Sequence, residues 1–254
     1  MTGEPRVRTA LVTGVGREGG IGAAIARRLA RDGWNLALSH WSPYDERVGL
    51  PHGSDDAERL ADDLRRTGVE VVLVSGDLAE DAEPARLFAA ARAALGEVSG
   101  LVLSHCESVN SGLLEATPES FDRHFRVNTR ASWLLIRELA GQVTGPGGRI
   151  VAMTSDAVVN NVPYGVSKAG LDRLVVAAAH ELGHLGITAN AINPGPTDNG
   201  WMDDATRAAL VEAQPNGRIG SPEDAANLVA FLLSDEGGWI NGQVLHSDGG
   251  FSSR

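Results

Sequence analysis

The sequence predicts an α/β protein, a doubly wound parallel sheet of about seven strands with helices on both faces, in a single domain over residues 1–254. Two observations carry this expectation. Short apolar runs of strand length alternate with amphipathic helical stretches along the whole chain, and the first run feeds a glycine-rich turn that opens a helix. No internal repeat, heptad pattern, low-complexity segment or shift in composition competes with them.

TALVTG (9–14) reads as a buried strand, and the helix behind its turn carries Ile21, Ile25 and Leu29 at four-residue spacing. WNLALS (34–39) is the second strand. A polar, proline-containing loop is expected through about residue 54, ahead of the charged helix DDAERLADDLRRTG (55–68), which ends in glycine. VEVVLVSG (69–76) is the third strand, and a helix around 82–95 leads to the fourth, LVLS (101–104). TPES opens a long helix at about 118–141, with threonine as N-cap, proline at the first helical position and an acid behind it. RIVAMTS (149–155) is the fifth strand, a helix covers about 164–184, and ITANAIN (187–193) is the sixth strand. The segment 196–220 is long and weakly patterned; its Trp201 and Met202 either line an apolar substrate pocket under a mobile lid or pack as ordinary core. SPEDAANLVAFLLS (221–234) is a capped helix, and GQVLHSD (242–248) the last strand.

Composition narrows the function. Hydrophobic residues make up 43% and charged residues 22%, ordinary for a soluble globular chain. The net charge of −11 argues against nucleic acid or an anionic membrane as the main partner, while leaving room for a local basic pocket for one small anion. The single cysteine, Cys106, precludes an intrachain disulfide and suits a reducing compartment. MTGEPRVRT lacks the apolar core of a signal peptide, and runs such as LVVAAA (174–179) are too short to span a bilayer. The expectation is a cytoplasmic protein.

VTGVGREGGIG (12–22) joins the first strand to the first helix, where backbone N–H groups can hold a pyrophosphate and glycine admits it closely. Two registers overlap, Gly14-Gly16-Gly19 and Gly14-Gly20-Gly22; the second makes Ile21 the first core residue of the helix and is preferred. In a dinucleotide fold an acid about 20 residues on binds the ribose of NAD. Here the second strand ends Ser39-His40-Trp41 and the nearest acid, Asp45, lies beyond Pro43. A missing acid removes repulsion toward a 2′-phosphate, and Arg17 and His40 are donors for one, so NADP(H) is favoured over NAD(H). Trp41 and Ser104, at the carboxyl ends of strands, join them as candidate cofactor contacts.

YGVSK (164–168) places Tyr164 and Lys168 one helical turn apart on one face, where an ammonium favours phenolate and pulls the tyrosine toward the working range of an acid/base. Ser155 ends the preceding strand, at the side where ligands bind in such sheets. Together these stretches resemble the short-chain dehydrogenase/reductase family, over nearly the whole chain. TGVGREGGIG is similar to its cofactor turn with two extra residues, a glycine spacing closer to the divergent enoyl-ACP reductases. Asp77-Leu78 matches the pair that contacts adenine, VNTRA (127–131) carries the family asparagine as Asn128, INPGPT (192–197) matches the segment flanking the nicotinamide with Pro194, Gly195 and Thr197, and GQVLHSDGG (242–250) the C-terminal strand.

The resemblance implies a Rossmann-type oxidoreductase that reduces a ketone or oxidises a secondary alcohol, with a 3-oxoacyl thioester, as for 3-oxoacyl-ACP reductases, the modal substrate. It implies that Tyr164 passes the proton, Ser155 polarises the carbonyl, Lys168 binds the nicotinamide ribose and depresses the tyrosine pKa, and Asn128 holds a water linking Lys168 to solvent. It also implies a homotetramer or homodimer, which small residues such as Ala177, Ala178 and Ala179 would let pack closely. Two departures stand out. LSHC (103–106) replaces the usual NNAG, and only eight residues separate Ser155 from Tyr164 where the family has about a dozen, so the substrate pocket should be reshaped. An enoyl thioester reductase is an alternative, against which the Tyr-to-Lys interval argues; a cofactor-binding protein without turnover is another.

HELGH (180–184) raises a zinc hydrolase as a further rival, because histidines four apart on a helix can share a metal. Gly183 and Gly186 break the helix there, position 190 is asparagine rather than a third ligand, and His180 lies about 24 Å along the helix from Tyr164. No metal site is expected.

Overall fold

The protein, described here by a computed structural model for residues 8–145 and 147–253, is built on a seven-stranded sheet. Its strands are β1 (Thr9–Thr13), β2 (Asn35–His40), β3 (Val71–Ser75), β4 (Gly100–Leu103), β5 (Arg149–Met153), β6 (Thr188–Asn193) and β7 (Val244–His246). All pairings are parallel, in the order β3-β2-β1-β4-β5-β6-β7. Connections therefore run one way from β1 to β3 and the other way from β4 to β7. The order reverses between β1 and β4, and their carboxyl ends open the crevice where such sheets bind ligands.

The helices are α1 (Ile21–Arg31), α2 (Ser42–Val48), α3 (Asp56–Arg65), α4 (Glu83–Leu95), α5 (Pro118–His124), α6 (Ala131–Gln142), α7 (Val162–Glu181), α8 (Asp204–Ala213) and α9 (Pro222–Leu233). Strand alternation splits the core in two. Ala10 and Val12 of β1 point to a cluster with Ile25 and Leu29 of α1 and Val229 and Leu232 of α9. Leu11 points to the opposite cluster, with Leu87 of α4, Leu135 of α6 and Val175 of α7. Both faces of β1 are buried, so the strand reads as a continuous apolar run. Pro222 at the start of α9 follows a reciprocal cap, in which the Ser221 side chain accepts from the Asp224 N–H and Asp224 from that of Ser221.

Four expectations are corrected. The loop through residue 54 contains α2, because Ser-Pro at a helix start is as much an N-terminal signal as a loop signal; Gly49 ends it at φ +68°. The segment 196–220 contains α8, capped by the Asp203 side chain accepting from Thr206 N–H at 2.7 Å; it buries none of its residues, which is why its pattern is weak. The long helix at 118–141 is interrupted by a π-helical turn over Phe125–Arg130, while Thr117 caps it as expected. The helix at 164–184 starts at Val162 and stops at Glu181, and Gly183–Leu185 continues as a 3-10 turn.

Candidate active site and cofactor cleft

In the glycine turn, Gly14 and Gly22 meet backbone, and a Cβ on Gly16 would lie 2.9 Å from the Asp45 carboxylate. Gly14 has φ +76°, and a Cβ on it would lie 2.6 Å from the Ser104 carbonyl; one on Gly22 would lie 2.5 Å from the Gly14 carbonyl. These glycines let β1, β4 and α1 converge at the switch point. Gly19 meets nothing within 4 Å, and Gly20 is the N-cap of α1 just before Ile21. The first turn of α1 has neither a side-chain cap nor an acid, so its N–H groups are left for an anion.

One cavity at the end of this turn brings together Gly14, Arg17, His40, Trp41, Asp77, Leu78 and Ser104. His40 Nδ1 is buried there without a hydrogen-bond partner, and burial lowers the His40 pKa against the opposing pull of Glu58. An unpartnered nitrogen, an uncapped helix start and a glycine cradle together fit a dinucleotide. The expectation of an acid-free cleft is corrected: α2 folds Asp45 back into the same cavity, where it pairs with Arg17 Nε at 3.2 Å. Arg17 also donates to the Asn199 carbonyl at 2.9 Å. Burial raises the Asp45 pKa and the Arg17 charge opposes it.

Asp77 is likewise engaged, accepting from Ala79 N–H at 2.9 Å and from Arg123 at 3.1 Å. Arg123 and Arg47 both bond the carboxylate of Glu107, at 3.1 and 2.7 Å, and Tyr44 donates to the Ser108 carbonyl at 3.2 Å. Through Tyr44 and Arg47, α2 is fastened to the loop after β4 across the cavity mouth. Sequence reasoning missed Tyr44, Arg47, Glu107 and Arg123, whose partners lie far away in the chain.

The catalytic candidates gather beside this cavity rather than in its lining. Tyr164, at the start of α7, lies close enough to the Ser155 side chain, two residues past the end of β5, for Ser155 to favour its phenolate, so the short connection still brings the two together. Lys168 is buried one turn on, with Nζ 5.8 Å from the Tyr164 ring centre and donating to the Met153 carbonyl at 2.8 Å. The pKa expectation is corrected. Burial drives the Tyr164 phenol upward, Cys106 and Asp156 add to it, and the neighbouring Ser155 only partly offsets them. Lys168 is itself lowered by burial. Desolvation outweighs the Ser155 contribution, and the phenol is protonated at neutral pH.

Asn128 lies fully buried in the π turn. Its Oδ1 accepts from Glu107 N–H at 2.7 Å, and its Nδ2 donates to the Glu107 carbonyl at 2.9 Å and to Ser167 Oγ at 2.8 Å. Its amide thus serves as a brace. His105, in the LSHC stretch, rebuilds the local support: Nε2 faces the Val127 carbonyl at 3.0 Å, an acceptor that assigns the ring proton to Nε2, and Nδ1 meets Thr13 Oγ1 at 2.7 Å. Burial first, then Lys168, push its pKa down to about 3, so it stays neutral. Cys106 lines the cavity and lies in electrostatic range of Tyr164 and Lys168, linking the two halves of the cleft.

Pro194, Gly195 and Thr197 follow β6. Gly195 has φ +61° where a Cβ would strike Asp248, and Thr197 Oγ1 donates to the Pro194 and Gly195 carbonyls at 3.3 and 3.2 Å. Trp201 is half exposed and Met202 is buried. In HELGH, α7 ends before Gly183, which takes His184 off the helical register of His180; its Nδ1 sits 2.8 Å from the Glu181 carbonyl. Of the three alanines, Ala178 and Ala179 are buried in the chain's own core and only Ala177 is exposed. Lys168 is the only lysine in the chain.

A family profile described as enoyl-(acyl carrier protein) reductase matches residues 14–252. The chain is 36% identical over 253 residues to an uncharacterized oxidoreductase, YjdA, of Bacillus subtilis (strain 168), covering 96% of each chain. It is 34% identical to the short chain dehydrogenase claC of Passalora fulva, covering 96% of this chain and 94% of that one. Among solved structures it is similar to the angucycline C-6 ketoreductase LanV with bound NADP, at 30% identity and a TM-score of 0.86, covering 97% of this chain and 96% of that one.

Proposed function

The chain belongs to the short-chain dehydrogenase/reductase family of NAD(P)-dependent oxidoreductases, and from that premise we propose that it reduces a ketone, or oxidises the corresponding secondary alcohol, with NADP(H). The observation that carries this reading is buried Lys168 5.8 Å from the Tyr164 ring and bonded to the Met153 carbonyl, with Ser155 in range of the same tyrosine at the carboxyl end of β5. When bound, the reduced nicotinamide supplies the hydride to the carbonyl carbon. The N–H groups starting α1 would hold the pyrophosphate, and His40 with Arg17 the 2′-phosphate. LanV, bound to NADP, supports that cofactor choice.

Tyr164 then donates its proton to the substrate oxygen as charge develops there, which a phenol held protonated by burial is suited to do. Ser155 donates a second hydrogen bond to the same oxygen and polarises the carbonyl. Lys168 keeps a positive charge near the phenolate left behind. Asn128 and Ser167 hold the frame around Tyr164, since Ser167 Oγ donates to the Tyr164 carbonyl at 2.7 Å. The family profile's description names enoyl reduction, but a tyrosine and serine converging on one oxygen suit C=O better than C=C.

The test is an NADPH-oxidation screen across ketones, 3-oxoacyl thioesters and enoyl thioesters. Turnover of carbonyl substrates is expected; turnover confined to enoyl thioesters would replace this reading with the alternative. Self-association as a dimer or tetramer is part of the proposal, supported by Phe121, Trp133, Val166 and Val176 exposed on α5, α6 and α7. Light scattering that finds only monomer at micromolar concentration would refute it.

A further inference from the structure

Four large aliphatic side chains stand in solvent on two loops beside Tyr164. Leu113 and Leu114 are 80% and 92% exposed on the loop after β4, and Val158 and Val159 are 44% and 84% exposed on the loop after β5. A single exposed leucine is unremarkable, but neighbouring ones on two joined loops form a patch that calls for an occupant. The loops are joined by the Val162 N–H donating to the Ser111 carbonyl at 3.0 Å. The second lies directly on the catalytic helix, since a Cβ on Gly165 would sit 2.7 Å from the Ala157 carbonyl and 2.8 Å from Val158 Cα. Asn160, at φ +57°, turns the chain back toward Tyr164.

The charge around this rim is one-sided. Asp156 follows Ser155 and acts electrostatically on Tyr164, and Glu115 follows Leu114 at the Gly112 turn. Apart from Arg17 in the cofactor cavity, the arginines on this side are already paired: Arg47 with Glu107, Arg123 with Asp77 and Glu107, and Arg207 with Asp198. The chain as a whole carries −11. Coenzyme A is a polyanion and acyl carrier proteins are acidic, so either would meet repulsion where it needs cations.

Resting on the carbonyl-reduction reading above, we propose that Leu113, Leu114, Val158 and Val159 form the substrate-recognition rim for a free, uncharged, apolar ketone, and that the surrounding acids select against carbonyl substrates carried on coenzyme A or an acidic carrier protein. The ketone carbon takes the hydride and its oxygen the Tyr164 proton, giving a secondary alcohol and NADP⁺, and Tyr164 is reprotonated from solvent.

The test compares NADPH oxidation by the full chain with trans-1-decalone, acetoacetyl-CoA and acetoacetyl-N-acetylcysteamine, the last sharing the acyl group but not the phosphates. Decalone should exceed acetoacetyl-CoA by about tenfold or more in kcat/KM, and the uncharged thioester should exceed its CoA counterpart. Replacing Leu114→Asp together with Val159→Asp should raise KM about tenfold more for decalone than for butane-2,3-dione, which is too small to reach the rim. Equal or better turnover of acetoacetyl-CoA would overturn the inference and leave carbonyl reduction standing. An equal effect of the variants on both ketones would overturn the placement of the rim. If no carbonyl compound oxidises NADPH, the underlying reading fails and takes this inference with it.

Discussion

Asn128 and Glu107 hold each other in both directions, the Glu107 N–H donating to Asn128 Oδ1 at 2.7 Å and Asn128 Nδ2 to the Glu107 carbonyl at 2.9 Å. The same Nδ2 reaches Ser167, which bonds the backbone of Tyr164. The π turn, the loop after β4 and helix α7 are thereby one polar unit around Tyr164. Asn128→Ala leaves a buried N–H and carbonyl without partners, a loss of about 1–3 kcal/mol. A lowered midpoint in urea is expected, together with a larger drop in kcat than rise in KM. A variant that unfolds like the wild type would show that the brace carries no stability.

The sheet was legible in the sequence because strands buried on both faces, such as β1 and β4, must be continuous apolar runs. Tyr164, Lys168 and Ser155 were legible because their geometry follows from spacing within one helix and one strand end. Helix α8 was hidden because it buries nothing, and the π turn because one extra residue per turn barely changes an apolar pattern. The Asp77–Arg123–Glu107–Arg47 network had no local signal: its members are brought together by tertiary folding alone, with Arg47 and Glu107 sixty residues apart. The pKa of Tyr164 was not legible for a related reason, since spacing reveals a neighbouring charge but not the depth of burial.

Tyr164→Phe removes one oxygen and keeps the ring that packs beside Lys168. The variant should fold and bind NADPH as before but lose on the order of 10²-fold or more in turnover. Near-normal turnover would sink the assigned mechanism.

Because burial holds the phenol above its ordinary value, Tyr164 is already in the donating form below and through neutral pH. Ketone reduction should therefore be level across neutral pH, whereas alcohol oxidation, which needs the phenolate, should rise into the alkaline range. A reduction rate that falls away between pH 6 and 8 with a single ionisation would contradict this, on the usual reading of such profiles.

Cofactor choice turns on the Arg17–Asp45 pair. NADPH should bind more tightly than NADH, and Arg17→Ala should narrow the gap. Asp45→Asn frees the guanidinium from its carboxylate and should widen the gap, by about tenfold if one charge-assisted bond is gained. Fluorescence titration of both cofactors measures all three. A clear NADH preference in the unmodified protein would overturn the assignment of His40 and Arg17 to a 2′-phosphate.

His105 takes the place of an ordinary structural element of the family and is held neutral by burial, with a pKa of about 3 against 6.5 when unfolded. Between those values the unfolded chain carries a proton on this ring that the folded chain does not. The contribution of His105 to stability is therefore complete above about pH 6.5 and is lost progressively as pH falls toward 3. Lys168, whose charge also opposes protonation of the ring, remains buried nearby throughout this window. His105→Asn supplies an amide that can meet Thr13 and the Val127 carbonyl without titrating. Urea midpoints measured from pH 4 to 7.5 should fall less steeply with acid in this variant, by up to one proton per chain, even if its stability at pH 7.5 is lower. Parallel acid limbs for the two proteins would mean that His105 takes up its proton in the folded state as readily as in the unfolded one, and the neutral bridge from Thr13 to Val127 would have to be abandoned.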